Sequence, residues 1–156
     1  MEEKEFKAWL DEQRRSMDLQ LDVEGRWWHD EQPFVHAGLV KAFNRGIDRH
    51  PDTGEPIIRI GSTWCYFTSV GSPFIVRRVI HSHSVIHALR LNTELEVNVG
   101  AVTFYSKHNQ VFALHKTYDE IRFDRTSQAA LAPFLSSGKG PDLYLATSAG
   151  PALIRT

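Results

Sequence analysis

The stretch that decides how this chain folds is Phe74 to Leu91, FIVRRVIHSHSVIHALRL. Two runs dense in β-branched and aliphatic residues, Phe74–Ile80 and Val85–Leu91, flank the polar HSHS at 81–84. That pattern predicts two strands with HSHS as their connecting loop. A link this short joins antiparallel neighbours, because a parallel crossover needs a dozen residues or more.

The same signature extends in both directions. On the N-terminal side, 56–60 and 63–70 are strand-like and are punctuated by Gly61-Ser62 and Gly71-Ser72. On the C-terminal side, 94–99, 102–105, 110–114 and 120–123 continue it, and 143–147 and 152–154 form a final pair. Short connections throughout predict antiparallel meanders.

Helical spacing appears in three places. Phe6, Trp9, Leu10 and Met17 share one face of an N-terminal helix expected to dock on the body of the chain, and the acid-before-base pair Glu3/Lys7 supports its surface. Leu39, Val40, Phe43 and Ile47 mark a second helix over 36–48. A third spans 126–136, capped by Asp124 or Thr126, despite Pro133 near its end. Residues 50–56, with two prolines and a glycine in seven positions, form an exposed loop.

The expected fold class is therefore α+β: mostly antiparallel sheets, an N-terminal helix and two further helices. The expected organisation is a helix at 1–17, a first α+β unit at 18–72 and a second β-rich unit with one helix at 73–156, all in one compact domain. Helices 36–48 and 126–136 are each followed by a strand pair, which admits two repeated helix-plus-β units.

The 156 residues carry 18 basic and 19 acidic side chains, for a formal charge of −1. Phosphate-contacting nucleic-acid binders usually show a basic excess or stripe, so no nucleic-acid partner is expected. No apolar run approaches the ~18–20 residues of a membrane span, and no signal-peptide core is present. The expected location is the cytoplasm, with no membrane association. One cysteine, Cys65, cannot form an intramolecular disulfide or a thiolate-rich zinc site, and it fits a reducing compartment.

Chemical motifs are sparse. His81, His83 and His87 resemble a metal-chelating His-x-His pair, but their place in a connecting loop favours solvated histidines. Cys65, mid-strand in TWCYF, reads as a small buried hydrophobe. There is no nucleophile elbow, P-loop or dinucleotide fingerprint, and Gly138-Lys139-Gly140 reads as a helix-stopping loop. No catalytic residue, metal site or cofactor is assigned.

The strongest local signal is GRWWHDEQPFVHAGLVKAF, Gly25 to Phe43. Before it, Leu19, Leu21 and Val23 alternate with polar residues, and Glu24-Gly25 turns the chain. Adjacent tryptophans on a strand face opposite sides, so one can enter the core while the other packs on another segment or meets solvent. Trp27, Trp28, His29 and His36 are the candidate ligand-binding residues, against the alternative that each tryptophan simply packs on a helix.

This stretch resembles the bacterial family numbered 1285 among the domains of unknown function. The matching residues are Gly25, Trp27, Trp28, His29, Pro33, His36, Leu39, Val40 and Phe43, followed by Pro73-Phe74 and Leu91-Asn92-Thr93. Glu31, Phe34 and His36 depart from the family pattern. The resemblance implies a mixed α+β arrangement of repeated motifs and a role in ligand sensing or signal transduction. The expected function is thus a small-molecule or partner-binding module in regulation. The alternatives are a structural or interaction protein, including a homo-oligomer subunit, and a histidine-dependent metalloenzyme. Ligand identity and oligomeric state stay open.

Overall fold

The computed structural model describes residues 2–156, and the chain divides into two compact units, residues 1–73 and 74–156. In the first unit, helix α1 (Glu3–Arg15) precedes β1 (Leu19–Leu21), β2 (Trp27–His29) and β3 (Gln32–Pro33). Helix α2 (Ala37–Gly46) leads into β4 (Ile47–Arg49), β5 (Pro56–Ile60) and β6 (Thr63–Tyr66), and β7 (Thr68–Ser69) follows. One sheet runs β3-β2-β1-β7, with β1 and β7 parallel. The other is the antiparallel meander β4-β5-β6.

The second unit begins with β8 (Ile75–Ser82), β9 (Val85–Leu91) and β10 (Glu96–Asn98). A 3-10 turn (Val99–Ala101) precedes β11 (Val102–Lys107), β12 (Gln110–His115) and β13 (Asp119–Phe123). Helix α3 (Arg125–Ala130) and a second 3-10 turn (Ala132–Phe134) then lead to β14 (Leu135–Ser137), β15 (Leu143–Thr147) and β16 (Gly150–Arg155).

The strand order is β10-β9-β8-β13-β12-β11-β16-β15-β14, and β9 also pairs with β15. That extra pairing closes seven strands into a barrel and leaves β10 and β14 as flaps outside the ring. The strand registers define one inward face. Phe104 lies opposite Ala113 and Ile154, Ala113 opposite Ile121, Phe123 opposite Val76, and Thr147 opposite Ile86. Phe104, Ala113, Ile121, Val76 and Ile86 are at most 1% exposed. The lumen is therefore a filled core, as expected for a small barrel.

Closure corrects the expectation of antiparallel meanders. The joins β8/β13, β11/β16 and β15/β9 are parallel. Short loops do make antiparallel neighbours, but each parallel join unites strands far apart in sequence, which loop length cannot report. The expected helix at 126–136 ends at Ala130, and Leu135–Ser137 is a strand. Pro133 has no N–H for the helical ladder and disfavours α geometry at Ala132. The helix expected over 36–48 stops at Gly46, and 47–49 pairs in a sheet. HSHS is not wholly a loop either. His81 and Ser82 belong to β8, and only His83-Ser84 turns, both at positive φ (53° and 65°) in a two-residue hairpin.

In each unit a helix leads into an antiparallel meander of three strands, α2 into β4-β5-β6 and α3 into β14-β15-β16. Among the described residues, no helix is long and apolar enough to cross a membrane.

Candidate binding pocket

The double tryptophan organises the first unit. Trp27 is 1% exposed, and its ring packs edge-on against Phe67 (4.8 Å between centroids) and Phe43 of α2 (5.6 Å). Its indole N–H, which cannot be buried unpaired without cost, donates to Asn44 Oδ1 at 2.8 Å. Trp28 faces the other side, half-buried, and its indole N–H donates to Asp22 Oδ2 at 2.8 Å. His36 Nδ1 accepts the Leu39 N–H at 3.1 Å and caps α2.

Of the four residues singled out in the sequence, only His29 reaches an open pocket. Trp27 sits in the core, Trp28 clasps the β1–β2 turn and His36 terminates a helix. The His29 ring lies 5.7 Å from the Phe34 ring, and Nε2 is 3.4 Å from Asp30 Oδ2.

The pocket, about 250 Å³, is almost entirely apolar. Leu19 and His29, opposite each other on β1 and β2, form one wall. The register pairs Ile58/Cys65 and Ile60/Thr63 on β5 and β6 form a second. Phe34 and Phe43, edge-to-face at 5.1 Å, form a third, and Met17 and Trp64 complete the lining. Burial pushes the Cys65 thiol above its ordinary pKa, so at neutral pH it stays protonated and serves as apolar wall.

Sequence reasoning missed most of this lining. Alternation at 58/60 and 63/65 about Gly61-Ser62 does mark one hairpin face. Nothing local shows that this face looks toward Phe34 and Phe43.

A second hollow of about 180 Å³ has a mixed lining, with Arg15, Asp18 and Glu55 beside Leu19, Tyr66 and Phe67. Arg15 bonds both Glu55 carboxylate oxygens (2.7 and 3.1 Å) and holds the Glu55 pKa below its ordinary value.

The histidines of the β8–β9 hairpin do not converge on a metal. Ser82 Oγ pairs with His87 Nε2 at 2.6 Å and lies 3.4 Å from His83 Nδ1, while His81 packs 5.1 Å from the Phe134 ring. Among the described residues, no three His, Cys, Asp or Glu side chains are grouped to hold a metal ion.

No family model matches the sequence, and no curated protein matches it. Two solved structures share its fold. A DUF1285 family protein from Silicibacter pomeroyi DSS-3 superposes with a TM-score of 0.66 at 14% identity, covering 90% of this chain and 80% of that one. The chain has a DUF1285-type fold. A DUF1285 family protein from Shewanella baltica OS155 gives 0.51 at 11% identity, covering 75% of this chain and 91% of that one. At such identities the DUF1285 likeness is one of backbone architecture, and the pocket stands on this chain's own residues.

Proposed function

We propose that this DUF1285-type protein is a small-molecule-binding module acting in regulation or signal transduction, and that its ligand is a compact apolar molecule held in the first unit. The observation that carries this reading is the cavity of about 250 Å³ walled by Leu19, Phe34, Phe43, Ile58 and Ile60. A pre-formed apolar cavity gives up ill-satisfied water when an apolar molecule enters. An enclosed dry cavity of ~150 Å³ takes benzene; this hollow of about 250 Å³, open to solvent on one side, has room for a ring or short chain. The lining presents almost no polar surface, so the part of the ligand it holds is apolar.

Calorimetric titration with toluene and with straight-chain alcohols from butanol to decanol tests the reading. Toluene should bind with Kd on the order of 0.1–1 mM, about 0.6–0.8 kcal/mol per non-hydrogen atom. The alcohols should tighten with length and then reach a cut-off. Ile60→Trp should fill the cavity and abolish both responses without unfolding the protein. Equal responses in the filled variant, or none in either form, reject the site.

A second reading, an interaction subunit without a ligand, draws on α1. Phe6 and Trp9, stacked 6.1 Å apart, are each about half exposed. It predicts self-association or partner capture that Phe6→Ser with Trp9→Ser abolishes, measured by sedimentation.

A further inference from the structure

Helix α1 should bury its apolar face, yet none of its residues is buried, and Phe6 and Trp9 remain half exposed. Its last turn holds it to β6 by other means. The Arg14 guanidinium lies 3.8 Å from the centre of the Trp64 ring, and that of Arg15 lies 4.0 Å from the centre of Tyr66. Arg15 also bonds Glu55 through two nitrogens and Asp11 through Nε at 2.9 Å. The pocket and this attachment share parts. Trp64, whose ring seats Arg14, alternates along β6 with Thr63 and Cys65 of the pocket wall, and Met17, two residues past α1, lines the pocket.

We infer that α1 is a charge-held latch on the apolar pocket: seated, it keeps Met17 in the wall, and released, it opens that edge. The inference rests on the proposed reading of this pocket as the binding site and adds its regulation. Ion pairs between exposed groups such as Arg15, Asp11 and Glu55 are individually weak, and salt screens them. The other walls belong to paired strands and to the edge-to-face Phe34/Phe43 pair, which ionic strength does not loosen. No buried apolar face of α1 opposes release, and a free 13-residue helix is marginal in water, so release exposes its amides. Salt then acts on ligand affinity against its usual direction. Added salt ordinarily strengthens apolar burial, whereas here it should weaken binding by removing part of the wall.

The test combines hydrogen exchange of residues 3–15 with toluene titration of the full chain, at low salt and at about 0.5 M sodium chloride. It compares the wild type, the double variant Arg14→Ala/Arg15→Ala and the control Lys7→Ala, which pairs with Glu3 within the helix at 2.8 Å. High salt and the double variant should each speed α1 exchange by about ten-fold or more while the β5 and β6 amides hold. Both should lower toluene affinity at least about three-fold, and the control should do neither. Unchanged α1 exchange overturns the latch. Faster α1 exchange with equal or tighter toluene binding overturns its control of the pocket. Failure of toluene to bind in any form rejects the site itself, and the exchange measurement still decides the latch by its own result.

Discussion

Asp22 gathers the donors of a whole turn. Its Oδ1 accepts the N–H groups of Glu24 (3.0 Å) and Arg26 (2.8 Å), and its Oδ2 accepts the Trp28 indole (2.8 Å) and Arg26 Nε (3.3 Å). Burial alone would push its pKa up, but the Trp28 and backbone donors and the Arg26 charge outweigh that and hold it below the ordinary 3.8. A carboxylate lowered in the folded state adds stability above its unfolded pKa, and that contribution is lost as pH falls through the folded value. Asp22→Asn should therefore cost about 1–3 kcal/mol in urea unfolding at pH 7. The gap to the wild type should shrink once the pH drops below 3.8, and a gap constant with pH would contradict the assignment. Trp27 acts by volume as well as by its hydrogen bond. Trp27→Ala should cost about 3–5 kcal/mol in the same assay. At this scale the sequence was partly legible: alternation placed the two tryptophans on opposite faces, but it could not tell that His29 alone would reach the pocket.

Among the elements, most strands were readable because each carries its own two-residue period and its own turn. The errors sit where one residue overrides a pattern, as Pro133 does in ending α3, or where polar residues continue a strand, as His81 and Ser82 do in β8. The β8–β9 turn places His83 and Ser84 at φ 53° and 65°, a conformation that asparagine and glycine accept more readily. His83→Asn with Ser84→Gly should stabilise the hairpin by about 0.5–1 kcal/mol in denaturant unfolding. A loss of stability would show that the two side chains contribute more than the strain they impose. Helix α1 illustrates the opposite failure. Its apolar spacing predicted the docking face, but stacked arginines on Trp64 and Tyr66 hold it, and no periodicity encodes that choice.

At the scale of the molecule, what the sequence could not show was closure. Inward residues such as Phe104 and Ile121 look the same in a flat sheet and in a barrel, because hydrophobic alternation describes a strand's faces and not its distant neighbours. The β9–β15 join is the narrowest in the ring, one register pair (Thr147 opposite Ile86) with the Ser148 N–H donating to Ile86 C=O at 2.8 Å. Its amide should exchange about ten-fold or more faster than those of the β8–β9 ladder. Equal protection would mean that closure is as firm as the hairpin. The account as a whole turns on whether the hollow in the first unit accepts an apolar guest. Methyl NMR during a toluene titration asks this most directly. Saturable shifts confined to Met17, Leu19, Ile58, Ile60 and Thr63 are the predicted result, and shifts that stay linear in toluene or spread evenly over both units would contradict it.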